Sequence, residues 1–123
     1  MSDTTELRDW HARRAGWTMH NGQWRREHRE RREYEYAKGH PFPPTLDAAD
    51  ASFPPGWDWE KTIPLRMADG SHWYACRYEP NGMSVQMKAT GDKIHDLYAL
   101  SKLAWEQEQA LAAACKEVGG NGN

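Results

Sequence analysis

The chain has 123 residues, of which 38% are apolar and 28% are charged. This composition predicts a single domain over residues 1–118, because a chain of this size has no room for a second hydrophobic core. No run of about 18 apolar residues is present, and residues 1–16 are too charged for a secretory signal. We therefore expect a cytoplasmic protein without a membrane segment.

Net charge and cysteine content argue against two further classes of protein. The formal net charge of -2 gives no general attraction to nucleic acid. Two cysteines, Cys76 and Cys115, are too few for a disulfide scaffold. We expect both to be free, buried and unreactive thiols.

The opening segment predicts a helix over residues 4–15. Asp3 and Glu6 have the spacing of a capping box, and Gly16 stands where a left-handed residue commonly ends a helix. Three side chains recur between them at helical intervals: Leu7, Trp10 and Arg14.

A hairpin is predicted directly after this helix. Asn21-Gly22 is typical of a two-residue type I′ turn, since both residues tolerate a positive φ. Such a turn pairs Met19 with Trp24 and Thr18 with Arg25. One face of the hairpin then carries the apolar residues Trp17, Met19 and Trp24.

The next segment allows two interpretations. Residues 25–35 place opposite charges at helical offsets, whereas residues 33–36 alternate as a strand does, and both structures stay open. Residues 40–44 read as a stiff, proline-rich linker. Thr45 then predicts the N-cap of a short helix over 46–52.

Residues 57–90 predict a three-stranded antiparallel meander. Two turn signals, Asp69-Gly70 and Asn81-Gly82, separate the strands, and Pro64 assigns the first strand to an edge. Two-residue turns at these positions predict a register with four apolar pairs: Ile63 with Cys76, Leu65 with Tyr74, Cys76 with Met87, and Tyr78 with Val85. The opposite face is then polar and includes Arg77 and Gln86.

A long helix is predicted from Asp92 as N-cap until Gly119, with residues 119–123 as a flexible tail. Its predicted inward side chains are Ile94, Leu97, Tyr98 and Trp105, and its predicted outward ones are Lys93, Asp96 and Lys102. The apolar stripe needs a surface to cover, and the meander supplies one. The predicted fold is therefore α+β, an antiparallel sheet with a meander (57–90) and a hairpin (17–26) covered by an N-terminal and a C-terminal helix.

Catalytic and metal-binding patterns are weak in this sequence. The six histidines match no metal-ligand spacing, although His72 and Cys76 are expected to share a strand face. Two carboxylate pairs, Asp47 with Asp50 and Asp58 with Glu60, are typical of helix N-terminal acids and of a solvated strand face. No glycine-rich phosphate loop precedes a helix. We expect no enzyme, no metal and no cofactor.

One segment has the composition of a binding surface. Residues 25–32 contain five arginines against two glutamates, and aromatic residues flank them. They could bind phosphates and bases, bind an acidic protein surface, or form a solvated and self-neutralising segment. The candidate partner-binding residues are Trp24, Arg25, Arg26, Arg29, Arg31, Arg32, Tyr34 and Tyr36.

Several short motifs follow one another in an order known from one protein family. They are Ala15-Gly16-Trp17, Gln23-Trp24-Arg25, the segment 43–49, Pro55-Gly56-Trp57-Asp58-Trp59, Trp73, Ala89-Thr90 and Leu97-Tyr98-Ala99-Leu100. In these motifs the chain resembles the phage ABA-sandwich domain proteins, small proteins of phages and prophages. The resemblance implies a sheet between helical layers, a location in the bacterial host cytoplasm and no catalytic residues.

These observations lead to one functional expectation and one alternative. We expect a small, non-catalytic phage-type protein that binds a host or phage protein, for example as an inhibitor of a host or defence system. The alternative is a nucleic-acid-binding accessory protein that uses the arginines of residues 25–32. We expect no membrane partner.

Overall fold

The computed structural model describes residues 2–28, 30–62, 72–77 and 82–121. It has the predicted α+β composition, with its strands in two antiparallel three-stranded sheets: β1-β2-β3 (the first sheet) and β4-β5-β6 (the second sheet). The elements are α1 (Ser2–Arg14), β1 (Thr18–His20), β2 (Gln23–His28), β3 (Glu33–Tyr36), α2 (Leu46–Ala51), β4 (Asp58–Thr62), β5 (His72–Arg77), β6 (Met83–Lys88) and α3 (Lys93–Asn121). None of the described helices is long and apolar enough to cross a membrane.

The first hairpin forms as predicted. Asn21 and Gly22 both have positive φ, 51° and 76°, as a two-residue turn of this type requires. The turn pairs Thr18 with Arg25 and Met19 with Trp24. The turn residues by themselves therefore determine the register of β1 against β2.

The ambiguous segment that follows is a strand pair, so the helical alternative is wrong. β2 continues to His28 and pairs with β3, with Arg25 opposite Tyr36 and His28 opposite Glu33. In a strand, successive side chains point to opposite faces of the sheet. Trp24 lies on the face of β2 that packs against α1, and it is buried there. Opposite charges at helical spacing stabilise a helix by only a few tenths of a kcal/mol per pair. Burial of a tryptophan side chain stabilises the fold by about ten times as much.

The second sheet has the predicted strand order but not the predicted register. Tyr74 pairs with Glu60 rather than Leu65, and Val85 pairs with Ala75 rather than Tyr78. Leu65 and Tyr78 themselves lie outside the described residues. β4 is an edge strand, as expected.

Both observed registers differ from the predicted ones by an odd number of residues. The side chains of β5 that were predicted to face the core therefore face the opposite way, and the others face the core. Trp73 and Ala75 face the core, while Tyr74 and Cys76 lie on the opposite face with Glu60. The observed register packs the largest side chain of β5, the Trp73 indole, against α3, whereas the predicted register would have buried Tyr74 and Cys76.

Arg77 was expected on the polar face but lies on the face of β5 that carries Trp73. It pairs with Met83 across the sheet, and its guanidinium forms an ion pair with Glu108 of α3 at 2.7 Å. Glu108 also accepts a hydrogen bond from Trp57 Nε1 at 2.8 Å. The carboxylate neutralises the arginine where the sheet meets the helix, so the observed register leaves no unpaired charge there.

Helix α3 covers the core face of the second sheet. Leu97 and Tyr98 are fully buried with Trp73 and Ala75, as the helical stripe predicts. Asp92 Oδ1 accepts a hydrogen bond from the backbone N–H of His95 at 3.1 Å, the expected N-cap. The helix runs through residue 121, beyond the stop predicted at 119.

Asp96 was expected to point outward, but it is buried. Its carboxylate accepts hydrogen bonds from Trp73 Nε1 (3.0 Å), from the Thr90 backbone N–H (3.0 Å) and from the Thr90 hydroxyl (2.6 Å). Three donors compensate the desolvation of this charge. Asp96 thereby ties the start of α3 to the sheet that the helix covers.

Helix α1 packs on α3 and on the first sheet. His11 is fully buried, and its Nε2–H donates to the Tyr98 carbonyl at 2.9 Å. A second small core is formed by Ala12, Trp17 and Trp24. Phe42, in the proline-rich segment after β3, contacts both cores.

Candidate binding surface

The predicted binding segment is divided by the first sheet into an outward and an inward set. Residues paired directly across an antiparallel sheet share a face. Arg25 is opposite Tyr36, and Glu27 is opposite Tyr34, so these four side chains lie on one face. Both tyrosines are about half exposed, 47% for Tyr34 and 50% for Tyr36. We call the outward face with Arg25, Tyr34 and Tyr36 the tyrosine surface.

The Arg25 guanidinium lies over the Tyr34 ring at 4.0 Å from its centroid. Its Nε is buried and has no hydrogen-bond partner among the described residues. A guanidinium held against a ring in this way loses side-chain freedom before any partner arrives. The tyrosine surface is therefore partly preorganised.

Trp24 and Arg26 belong to the inward set. Trp24 is only 5% exposed and packs in the core with Trp17. The Arg26 guanidinium lies 4.7 Å from the centroid of the Trp17 ring and pairs with Glu35 at 2.8 Å. The hydrogen bond from Arg26 lowers the pKa of Glu35. Both candidates serve the fold, and neither lies on the tyrosine surface.

Arg31 and Arg32 lie at the turn between β2 and β3. Both are exposed, and Arg32 has a φ of 55°. Arg29 lies outside the described residues. Arg31 shares a cavity of about 430 Å³ with Glu27 and Glu30, so this end of the sheet carries both signs of charge.

A second concave surface was missed at the sequence level. A groove of about 850 Å³ lies between α1 and α3, and we call it the helix groove. Its helix positions include Leu7, Trp10 and Arg14 of α1 and His95, Ala99 and Lys102 of α3. The helical spacing of the three α1 residues was visible in the sequence, but it gave no indication that α3 lies opposite.

Two of the carboxylates weighed for catalysis, Asp50 and Glu60, form hydrogen bonds with neighbouring side chains. The Asp50 carboxylate accepts a hydrogen bond from Trp59 Nε1, and the Glu60 carboxylate accepts one from the Tyr74 hydroxyl. Cys76 is a free, half-buried thiol. Within the described ranges, no group of three or more His, Cys, Asp or Glu side chains is arranged to hold a metal ion.

No protein-family model, curated protein or solved structure matches the chain. The resemblance to phage ABA-sandwich proteins therefore rests on the short sequence motifs alone. The functional argument depends on the geometry of the tyrosine surface and of the helix groove.

Proposed function

We propose that the chain is a small non-catalytic binding protein of phage or prophage type, and that its tyrosine surface binds a host or phage protein. One observation carries the proposal. Four large hydrophobic side chains are exposed within the described part of the chain, and two of them, Tyr34 and Tyr36, lie together on the tyrosine surface. Met19, also exposed, lies on the opposite face of the first sheet with Trp24, and it borders a cavity of about 630 Å³ together with Tyr36.

The chemistry of this surface is that of a protein interface. Tyrosine and arginine are enriched among the residues that dominate binding energy. Tyrosine buries a large area at a low cost in conformational entropy, and arginine offers several donors in a fixed geometry to a carboxylate. Arg25 adds a guanidinium that is already aligned against Tyr34. An acidic or mixed protein surface offers partners for both groups.

Nucleic acid is the second candidate, favoured by the exposed Arg31 and Arg32 beside exposed tyrosines. The neighbouring carboxylates of Glu27, Glu30 and Glu33 repel phosphates, and the net charge of -2 opposes long-range attraction. We therefore rank a protein partner first. The phage affiliation, the host cytoplasm and an inhibitory role rest on the sequence resemblance.

The first experiment captures partners from bacterial lysate on immobilised protein and identifies them by mass spectrometry. The test variant is Tyr34→Ala/Tyr36→Ala, and the matched control is Leu46→Ala, which truncates a similarly exposed side chain (43%) on α2. We expect one partner to bind the parent and the control and to be lost from the double variant. A partner captured equally by all three proteins would contradict the role of this surface.

The second experiment titrates the protein with single- and double-stranded DNA and RNA at about 50 and 200 mM salt. Phosphate contacts give a log-log salt slope of about -0.7 to -0.9 per contact, whereas an aromatic anchor resists salt. Sub-micromolar, salt-sensitive binding that disappears when all five arginines of residues 25–32 become alanine would establish the nucleic-acid alternative. Circular dichroism verifies that this variant is folded.

A further inference from the structure

The helix groove is a second candidate binding site, separate from the tyrosine surface. Three of its lining side chains are cations: Arg13, Arg14 and Lys102. Glu6 also lines it, yet none of the three cations forms an ion pair with a carboxylate among the described residues. The groove consequently has an excess of positive charge in a protein whose net charge is negative.

These cations pack on indole rings instead of on carboxylates. The Arg14 guanidinium lies 3.6 Å from the centroid of the Trp105 ring, and the Lys102 ammonium lies 5.5 Å from that of Trp10. Arg13 lies 5.6 Å from the centroid of the Trp24 ring. A ring face holds a cation in position without neutralising it, which leaves the charge available to an anion.

Two further observations show that this positive charge is only partly screened. Arg14 Nε is buried without a hydrogen-bond partner among the described residues, and burial lowers the pKa of Arg14. Nearby, the pKa of His11 is lowered from 6.5 to about 4, mainly by burial and to a smaller extent by the charges of Arg14 and Lys102. An anion placed in the groove would be attracted by the same field.

The shape of the groove selects an elongated anion. Its α3 border extends from His95 to Gln109, which is about 20 Å along the helix axis. Leu7 and Ala99 add apolar surface between the charged side chains. A single phosphate or carboxylate ion fills little of such a groove, whereas a third helix of about 14 residues matches its length.

From these observations we infer that the helix groove binds an acidic amphipathic helix of a partner protein. Its carboxylates pair with Arg13, Arg14 and Lys102, and its apolar face covers Leu7 and Ala99. This inference is independent of the proposed role of the tyrosine surface, because the two sites share no lining residue. It also assigns a function to α1 that the sequence did not suggest.

The probe is a fluorescein-labelled 14-residue peptide of Glu, Leu and Ala with an amphipathic helical pattern, measured by fluorescence anisotropy against the full chain. The test variant is Arg14→Gln/Lys102→Gln, which removes both charges and retains part of each aliphatic stem. The matched control is Lys88→Gln/Lys93→Gln, which removes two positive charges from exposed positions that line neither candidate site. We expect the test variant to bind about tenfold more weakly than the parent and the control to stay within about twofold.

Three outcomes would overturn the inference. They are no binding of the parent below about 1 mM, equal weakening by both double variants, and equal binding of a scrambled peptide without the amphipathic pattern. The single variant Lys102→Gln repeats the test if the double variant does not fold. Partner capture by the tyrosine surface is unaffected by any of these results, so the two proposals fail separately.

Discussion

The buried His11 makes the stability of this protein depend on pH in the mildly acidic range. Burial, the largest cause, lowers the pKa of His11 from 6.5 to about 4, although the hydrogen bond to the Tyr98 carbonyl acts in the opposite direction. The neutral ring donates through Nε2 to that carbonyl, while Nδ1 is buried without a partner among the described residues. Arg14 and Lys102 also oppose a positive charge on the ring.

The sign of the effect follows from proton binding in the two states. Between the folded pKa of about 4 and the unfolded value of 6.5, the unfolded chain carries a proton on His11 that the folded chain does not. The stabilisation that the neutral His11 ring contributes to the free energy of unfolding is therefore fully present above pH 6.5. It is lost progressively as the pH falls toward 4. At about 1.4 kcal/mol per pKa unit, the loss is about 2 kcal/mol between pH 7 and pH 5.

Urea unfolding of the parent and of His11→Gln at pH 7 and pH 5, followed by tryptophan fluorescence, measures this effect. The glutamine amide retains an N–H donor for the Tyr98 carbonyl but does not titrate. Because all other groups titrate in both proteins, we expect the parent to lose about 2 kcal/mol more than the variant between the two pH values. Losses that agree to within about 0.5 kcal/mol would refute the reasoning.

Three further substitutions test the core, the buried carboxylate and the first turn by urea unfolding. Leu97→Ala should cost about 2 to 5 kcal/mol, because the side chain is fully buried, and a loss below about 1 kcal/mol would show that α3 packs peripherally. Asp96→Ala should cost about 2 to 3 kcal/mol by leaving the Trp73 indole N–H and its other donors unpaired, and an unchanged stability would contradict that network. Gly22→Ala should cost about 1 kcal/mol from the positive φ alone, since no atom lies within 4 Å of the added methyl group. Gly82→Ala, which has equal space and no positive φ, should change stability by less than about 0.5 kcal/mol, and equal losses at both positions would exclude backbone strain as the cause.

The features that local chemistry controls could be predicted from the sequence. Asn21-Gly22 determines the first hairpin and its register, because few other residues adopt the required backbone angles. Thr45 and Asp92 mark helix starts, since each side chain accepts a hydrogen bond from the first turn. The apolar stripe through Leu97 and Tyr98 predicted which side of α3 is buried.

The candidate site was predicted only in part. The sequence singled out Tyr34 and Tyr36 as candidate binding residues, and both are about half exposed in the structure. It also included Trp24, because neither composition nor alternation tells a buried aromatic residue from an exposed one. The helix groove was missed, since its two borders are about 80 residues apart in the chain and meet only through the packing of α1 on α3.

The register of the second sheet and the burial of Asp96 were decided by tertiary contacts alone. β5 carries bulky or apolar side chains on both faces, Trp73 and Ala75 on one and Tyr74 and Cys76 on the other, so its alternation supports either orientation equally. Packing against α3 selects the face that buries the Trp73 indole and directs its N–H to Asp96. The local sequence pattern predicts that a carboxylate on a helix is exposed. Such a carboxylate can be buried only where the tertiary fold supplies hydrogen-bond donors from other segments.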